Sequence, residues 1–379
     1  MTDEGQGELQ LFGERGSSLD EVARAFDSAR LTQARVLAEL TKGELAERLG
    51  VSPAAVGQYE TGATKPRHDL LPELSKVLRV PVEFFAAGRP IGRLDAANAH
   101  FRSLRSTRAK DRAKAATHAE QLWELTYALE KRVRLPDVDL PTFPEGTSPT
   151  HAAQMLRKAW GVARGPLPHL VALMESRGIV VSLIAMTNES VRRVSAYSTD
   201  ALGRPLVIVT PEKAFSVYTY RFTCAHELGH LALHSSPLPG DRQQEREADE
   251  FAAELLTPQA EIGPLLPRTM RMAALEKLSV EWGVSVKSLI RRMGALGVVS
   301  DVSVRRAYQR LNAAAELRRH EPISVYKGEV PSLLRDALTL AERYGLTRRD
   351  IAIELGWTSN HLDEMLGDDD KRPVLRIVR

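Results

Sequence analysis

The chain has 379 residues, of which 43% are hydrophobic and 27% charged, and its formal net charge is +3 at pH 7. A single hydrophobic core rarely grows past about 250 residues, so this length predicts a multi-domain protein. The composition excludes a mainly disordered chain, and no apolar run approaches the ~20 residues that cross a bilayer. The net charge is too small to indicate nucleic-acid binding on its own.

The first segment, residues 1 to 27, is predicted to be a disordered tail, because its start is acidic, Gly-rich and polar and lacks the features of a signal peptide. Only one cysteine, Cys224, occurs in the chain. A lone cysteine excludes internal disulfide bonds and is typical of a reducing compartment. We therefore expect a cytoplasmic protein that is not anchored in a membrane and holds any metal ion without thiolates.

The segment from 28 to 89 has the pattern of short helices separated by tight turns. Helices are predicted at residues 31 to 40, 42 to 49, 53 to 60 and 69 to 78. Gly50 is suited to a left-handed C-cap, and Ser52 before Pro53 is suited to an N-cap. Only three residues separate the second helix from the third, which is the turn length of a helix-turn-helix pair. The segment predicts an all-α helix-turn-helix domain.

The segment from 90 to 147 is predicted to be a helical connector followed by a linker. Between residues 100 and 134, nine Lys and Arg residues stand against four Asp and Glu residues, which gives a helix with one basic face. Such a face is either solvated or in contact with phosphates, and the sequence leaves both interpretations open. Four prolines then break regular structure and mark the linker: Pro136, Pro141, Pro144 and Pro149.

The rest of the chain divides into an α+β unit at 148 to 267 and a helical region at 268 to 379. In the α+β unit we predict helices at 152 to 160 and 167 to 177, strands at 178 to 184, 191 to 197 and 205 to 210, and helices at 215 to 234 and 243 to 256. The strands are short β-branched runs of one small sheet. We find no internal repeat in the chain.

The helix predicted at 215 to 234 contains an HExxH motif formed by His226, Glu227 and His230. Residues four apart on a helix are about 40° apart in projection and ~6 Å apart along the axis, so both imidazoles can reach one ion. Neutral imidazole suits Zn²⁺, and the carboxylate beside the first histidine can act as a general base. The motif predicts a catalytic zinc site, which needs a third protein ligand.

The third ligand is sought on the helix predicted at 243 to 256, which carries several carboxylates. Helical spacing places Glu245 and Asp249 on the same face as two small alanines, whereas Glu247 lies on another face. The alanines allow close packing on the HExxH helix. We therefore predict Glu245 as the metal ligand and Asp249 as a group that orients a ligand histidine, with Glu247 as the alternative ligand.

These residues carry a family resemblance. Residues 221 to 230, which read RFTCAHELGH, and the helix from 245 to Pro258 resemble the ImmA/IrrE metallopeptidases. The resemblance implies a zincin-like fold over 175 to 258, with a sheet, an active-site helix and a ligand helix. It also implies a zinc endopeptidase that acts on a repressor, with His226, His230 and Glu245 as ligands and Glu227 as the base.

Residues 31 to 85 are similar to XRE-type (Cro/CI) helix-turn-helix domains, on the residues LTKGELAERLGVS at 40 to 52 and PAAVGQYETG at 53 to 62. In such domains the second helix of the pair lies in the major groove of double-stranded DNA, and dimers bind palindromic sites. The resemblance implies a DNA-binding protein and a homodimer. The residues expected to read bases are Ser52, Ala54, Ala55 and Gln58, and those expected to meet phosphates are Lys65 and Arg67.

Two functional hypotheses follow from these motifs. In the first, a DNA-binding regulator carries a zinc endopeptidase that cleaves a partner repressor or antitoxin. In the second, the regulator is not proteolytic, and its peptidase-like domain senses a ligand or zinc. For the helix-turn-helix domain, an interaction module that no longer binds DNA is the alternative, since nine basic residues against seven acidic ones between 28 and 89 give only a modest positive charge.

Overall fold

The computed structural model describes residues 18–86, 100–101, 109–144, 146–162, 164–183, 196–200, 202–210, 216–234, 241–313 and 326–367. This part of the chain is mostly helical and contains one small sheet. Residues 1 to 17, which form most of the predicted tail, lie outside the described residues. The sequence predicts the same disordered tail for residues 18 to 27, but they contain a helix at Leu19–Arg24. The prediction is wrong there, because Ser18 caps this helix and Val22 is fully buried in the core.

The helices in the described part of the chain are α1 (Leu19–Arg24), α2 (Ser28–Leu37), α3 (Lys42–Leu49), α4 (Pro53–Thr61), α5 (Leu71–Leu78), α6 (Ala109–Glu130), α7 (Pro149–Ala159), α8 (Leu170–Ser176), α9 (Val217–Leu233), α10 (Arg242–Leu256), α11 (Gln259–Ile262), α12 (Met272–Trp282), α13 (Val286–Ala295), α14 (Asp301–Ala313), α15 (Leu333–Glu342), α16 (Arg348–Leu355) and α17 (Ser359–Leu366). The strands are β1 (His100–Phe101), β2 (Val180–Leu183), β3 (Ala196–Thr199) and β4 (Leu206–Val209).

We call residues 18–86 the head. Its helix α2 begins and ends three residues earlier than the range of 31 to 40 that the sequence predicts. It begins at Ser28 because the Asp27 side chain accepts a hydrogen bond from the Ala29 amide at 2.8 Å. It ends at Leu37 because Glu39 takes the left-handed conformation, with φ of 60°, shortly after it. The predicted range of 31 to 40 is therefore wrong at both ends, because the turn residues that decide them lie outside the apolar periodicity.

The three-residue turn between α3 and α4 is confirmed. Gly50 ends α3 in the left-handed conformation with φ of 65°. The Ser52 hydroxyl then accepts a hydrogen bond from the Ala55 amide at 3.1 Å, and Pro53 is the first residue of α4. The α3–turn–α4 unit thus has the geometry of a helix-turn-helix pair.

The sheet has the strand order β1-β3-β4-β2, with β2 parallel to β4 and the other pairs antiparallel. Strands β2 and β4 lie within the ranges of 178 to 184 and 205 to 210 that the sequence predicts. Strand β3 overlaps only the last two positions of the predicted range of 191 to 197 and continues to Thr199, while residues 191 to 195 lie outside the described residues. The fourth, β1, contradicts the helix expected around residue 100, because His100 and Phe101 pair with the edge of β3. Pairing with a strand almost one hundred positions away leaves no trace in local periodicity.

Two hydrophobic clusters meet at the sheet, which is buried on both faces. Leu206 and Ile208 belong to the first cluster, together with the head, α6 and helices α15 to α17. Val207 and Val209 belong to the second, together with helices α7 to α14. Successive residues of β4 therefore face opposite clusters, as the period of two in a strand requires.

The fold contains a second copy of the head's local turn pattern, so the expectation that the chain has no internal repeat is wrong. Residues 346 to 358 read LTRRDIAIELGWT, where residues 40 to 52 read LTKGELAERLGVS. Thr347 forms a capping box at the start of α16, and Gly356 ends this helix with φ of 66°. Thr358 then caps α17 by accepting from the His361 amide. The α16–α17 pair thus repeats the helix-turn-helix geometry of α3–α4.

Candidate metal centre and DNA-binding head

Helices α9 and α10 approach closely because small residues face each other. A Cβ atom added to Gly229 of α9 would lie 3.2 Å from the Ala248 Cα and 3.0 Å from a ring carbon of Phe251. Ala248 and Phe251 of α10 are fully buried in this contact. The close packing, which the alanines of α10 predict, brings the side chains of the two helices within reach of one ion.

The structure brings His226, His230 and Glu245 together. The Nε2 atoms of the two histidines are 3.1 Å apart. The Glu245 carboxylate oxygens lie 3.5 Å from His226 Nε2 and 3.8 Å from His230 Nε2. A tetrahedral zinc ion with bonds of about 2.0–2.1 Å holds its ligand atoms about 3.3 Å apart. The spacing of the three side chains therefore fits one zinc ion.

Asp249 lies against the far side of His226. Its Oδ1 atom is 2.9 Å from His226 Nδ1, and its Oδ2 atom pairs with Arg291 at 3.0 Å. Because an ionised carboxylate only accepts hydrogen bonds, the Nδ1 atom of His226 carries the proton. The Nε2 atom of His226 therefore presents a lone pair towards His230 and Glu245.

A second chain of hydrogen bonds, which sequence reasoning missed, holds His230. His234 Nε2 is 2.9 Å from the Glu247 carboxylate, so this nitrogen carries the proton and Nδ1 of His234 accepts. His230 Nδ1 lies 3.0 Å from that acceptor and therefore donates to it. Gln243 donates to the other oxygen of Glu247 at 2.9 Å. Burial lowers the pKa of His234 below its ordinary value, which favours the neutral ring that this relay needs.

The two relays leave both histidines with an unprotonated Nε2 atom, and these two nitrogens are 3.1 Å apart. Two acceptors at this distance repel each other unless a cation lies between them, and the Glu245 carboxylate adds a third electron-rich group. Neutral imidazoles whose second nitrogen donates to a carboxylate or a similar acceptor are typical of zinc ligands. The donor set is therefore chemically suited to a divalent metal ion.

Glu227 is fully buried, and the sheet fixes one of its oxygens. The Ser198 hydroxyl of β3 lies 3.0 Å from Glu227 Oε2 and 3.3 Å from the Glu227 carbonyl oxygen. The hydroxyl is the donor in both contacts and holds the Oε2 atom in place. No feature of the sequence predicts this contact, because it forms only where the strand that carries Ser198 packs on α9.

Three other polar side chains of α9 are buried in the interior of the protein. Cys224 is fully buried and belongs to the second hydrophobic cluster. Tyr220 is also buried in that cluster. Arg221 forms a buried ion pair with Glu329 and donates to the carbonyl oxygen of Gly283 at 2.9 Å.

Five of the six residues predicted to contact DNA are exposed. Ser52, Ala54 and Gln58 are exposed at α4, and Ala55 is half-buried. Lys65 is exposed and donates to the Arg24 carbonyl oxygen. The Arg67 side chain is 82% exposed and forms a salt bridge of 3.1 Å with Asp69. The geometry thus leaves the start of α4 open to solvent.

Comparisons with protein families agree with this architecture. A family model described as the IrrE N-terminal-like domain, of the M78 peptidases, matches residues 174–293, and a model described as helix-turn-helix matches residues 31–85. The chain joins a helix-turn-helix domain to an IrrE-like domain. Both resemblances found in the sequence are confirmed, and they imply DNA binding and a metallopeptidase-like domain. No curated protein matches the chain.

The IrrE-like match extends through α13, and the predicted domain boundaries at 148 and 267 stay predictions. Across the described residues, no helix has both the length and the apolar character needed to cross a bilayer.

Proposed function

We propose that this chain is a DNA-binding regulator with a zinc-dependent endopeptidase site, in which His226, His230 and Glu245 hold the metal and Glu227 is the general base. The observation that supports the proposal is that two unprotonated imidazole nitrogens and one carboxylate lie within 4.8 Å of one another. If this cluster served only to form hydrogen bonds, a donor would face each acceptor. In the two relays, however, each histidine carries its proton on Nδ1, so neither Nε2 atom can donate to the other.

Glu227 is suited to the general base. It follows His226 directly in α9, and the glutamate at this position of an HExxH motif is suited to act on a water molecule bound to the metal. Bound zinc would polarise the scissile carbonyl and lower the pKa of a water molecule. The Glu227 carboxylate would accept a proton from the attacking water and return it to the departing amine nitrogen. Ser198 would keep the Oε2 atom in place during both transfers.

We propose a protein substrate that is bound to DNA near the head, such as a repressor or an antitoxin. The support is the fusion itself, because a head that binds DNA raises the local concentration of the peptidase at one site. A homodimer on a palindromic site and a cytoplasmic location belong to the same proposal.

The experiment is a comparison of Glu227→Gln with Glu250→Gln in cells. Both changes remove one negative charge, but Glu250 is an exposed residue of α10. Glu227→Gln keeps an acceptor for Ser198 and removes the base, so we expect retained zinc, a stable partner protein and lost regulation. Glu250→Gln should behave as the wild type.

The alternative, a regulator whose peptidase-like domain only senses zinc or another ligand, predicts a different result. If Glu227→Gln regulates its target genes normally and the level of the partner protein does not change, proteolysis is not the function. Loss of zinc by Glu227→Gln would instead contradict the assignment of this residue as a base.

A further inference from the structure

Strand β3 lies beside the proposed general base. The Ser198 hydroxyl of this strand contacts Glu227 Oε2 at 3.0 Å, and every residue of β3 is buried. One edge of β3 pairs with β4, so a further strand beside β3 can bind only at its other edge. The opposite edge of the sheet belongs to β2, which lies beyond β4 and therefore about 10 Å from β3. The edge of β3 that faces away from β4 is thus the sheet edge nearest to Glu227.

This edge is suited to bind an extended peptide. A peptide that adds to a sheet as a further strand forms backbone hydrogen bonds with the edge strand. A peptide on β3 would lie about 5 Å from the backbone of Ser198, so its carbonyl groups would pass close to the Glu227 carboxylate. The edge of β3 can therefore hold the substrate of the proposed endopeptidase.

A segment of the same chain already occupies this edge. Strand β1 pairs with β3 in the antiparallel direction, with His100 opposite Ser198 and Phe101 opposite Tyr197. This pairing uses the backbone groups of β3 that a substrate strand would need. Strand β1 and a substrate strand at this edge therefore exclude each other.

Helix α6, which follows β1 in the chain, keeps the segment near the sheet. The Tyr197 hydroxyl of β3 donates to the Ala115 carbonyl oxygen of α6 at 2.7 Å. At the other end of the contact, Glu124 of α6 forms a buried ion pair of 2.6 Å with Arg30 of the head. A tethered segment competes at a high effective concentration. Strand β1 is only two residues long, however, so few hydrogen bonds must break when a substrate displaces it.

We propose that β1 is an autoinhibitory strand, which covers the substrate-binding edge of the peptidase site until a protein substrate displaces it. The proposal rests on the function proposed above, because it assigns the edge of β3 to the substrate of that site. The substrate that fits is an extended segment, which the edge binds through its backbone. Because β1 lies between the head and α6 in the sequence, the segment that covers the site also connects it to the DNA-binding head.

The test compares the zinc-loaded full chain with a variant that combines His100→Pro and Phe101→Pro. Proline cannot donate a backbone hydrogen bond, so this variant loses the pairing with β3. Thr142→Pro is the control, since Thr142 is exposed and lies outside regular structure. A second variant combines His100→Gly and Phe101→Gly, which weakens the strand without removing its donors, in case the prolines disturb folding.

Two zinc-binding probes separate the edge of β3 from the metal centre. A tripeptide hydroxamate carries a peptide that can pair with β3, whereas acetohydroxamate carries none. In calorimetric titrations, both β1 variants should bind the tripeptide hydroxamate about tenfold more tightly than the wild type and Thr142→Pro do, and all four proteins should bind acetohydroxamate equally. Equal binding of the tripeptide hydroxamate by all four proteins would overturn the proposal. An equal gain for both probes would also overturn it, because the effect would then lie at the metal.

Amide hydrogen exchange provides an arm that does not depend on zinc. Peptides that contain β3 should exchange at least about tenfold faster in the β1 variants than in the wild type and Thr142→Pro, and unchanged exchange would overturn the proposal. The two proposals fail in different ways. If neither hydroxamate binds to any of the four proteins, the zinc site is wrong and the autoinhibitory role falls with it. If acetohydroxamate binds but the tripeptide hydroxamate does not discriminate, only the autoinhibitory role is wrong.

Discussion

Replacing Asp249 with leucine removes the acceptor behind one proposed zinc ligand without touching the ligand itself. The Asp249 carboxylate accepts the Nδ1 proton of His226 at 2.9 Å and so keeps the Nε2 lone pair on the metal side. Without it, the ring can take the other tautomer or rotate. We expect Asp249→Leu to weaken zinc binding while the three proposed ligands remain.

The magnitude follows from the position of the carboxylate. Loss of such an outer partner costs about 10- to 100-fold in metal affinity, which is about 1.4–2.7 kcal/mol. The Asp249 side chain is 23% exposed and shares its charge with Arg291, so we expect the lower half of this range. Asp249→Asn, which keeps an acceptor oxygen, should lose less.

A competition titration of zinc against a chromophoric chelator measures the change. Glu250→Gln, at the next position on the same helix, is the control and should bind zinc as the wild type does. If Asp249→Leu retains wild-type zinc affinity while it folds normally, the tautomer argument for His226 is wrong.

Three further predictions concern packing, DNA and pH. Gly229→Ala should lower the free energy of unfolding by about 1–3 kcal/mol, because its Cβ atom would press on Phe251 at 3.0 Å. Thermal denaturation measures this change, and unchanged stability would refute the close contact. In gel shifts over salt and operator variants, Lys65→Ala should weaken binding to every sequence and lower the salt slope by about one, whereas Gln58→Ala should cost about 1–3 kcal/mol at its own base pair only. Burial raises the pKa of Glu175 to about 7, so the folded state binds a proton that the unfolded state releases near pH 4.5. Stability should therefore fall as the pH rises through this window, and Glu175→Gln should flatten that slope in urea denaturation; an unchanged slope would contradict it.

The local sequence pattern predicted the two helices of the candidate site well. The reason is that the spacing of residues along a helix decides which side chains share a face. His226 and His230 are one turn apart on α9, and the face of α10 that carries the alanines also carries Glu245. These relations depend only on the period of a helix. The structure brings the three side chains together as that period predicts, although their role as ligands stays a proposal.

The remaining features depend on contacts between segments that are far apart in the sequence. Periodicity within one segment carries no information about such contacts. Glu247, which the sequence offered as an alternative ligand, instead meets His234, and this contact depends on the crossing of α9 and α10. Ser198 contacts Glu227 only after β3 packs on α9. The α16–α17 pair was not predicted, because only five of the thirteen aligned positions at 346 to 358 are identical to the head and Trp357 stands where the head has Val51.

Zinc content of the purified protein tests the central claim most directly, measured together for Glu245→Ala, Glu247→Ala and Glu227→Gln. The account predicts about one zinc per wild-type chain, loss of metal in Glu245→Ala, retention in Glu227→Gln, and at most weakened binding in Glu247→Ala. Full zinc in Glu245→Ala together with loss in Glu247→Ala would contradict the proposed ligand set.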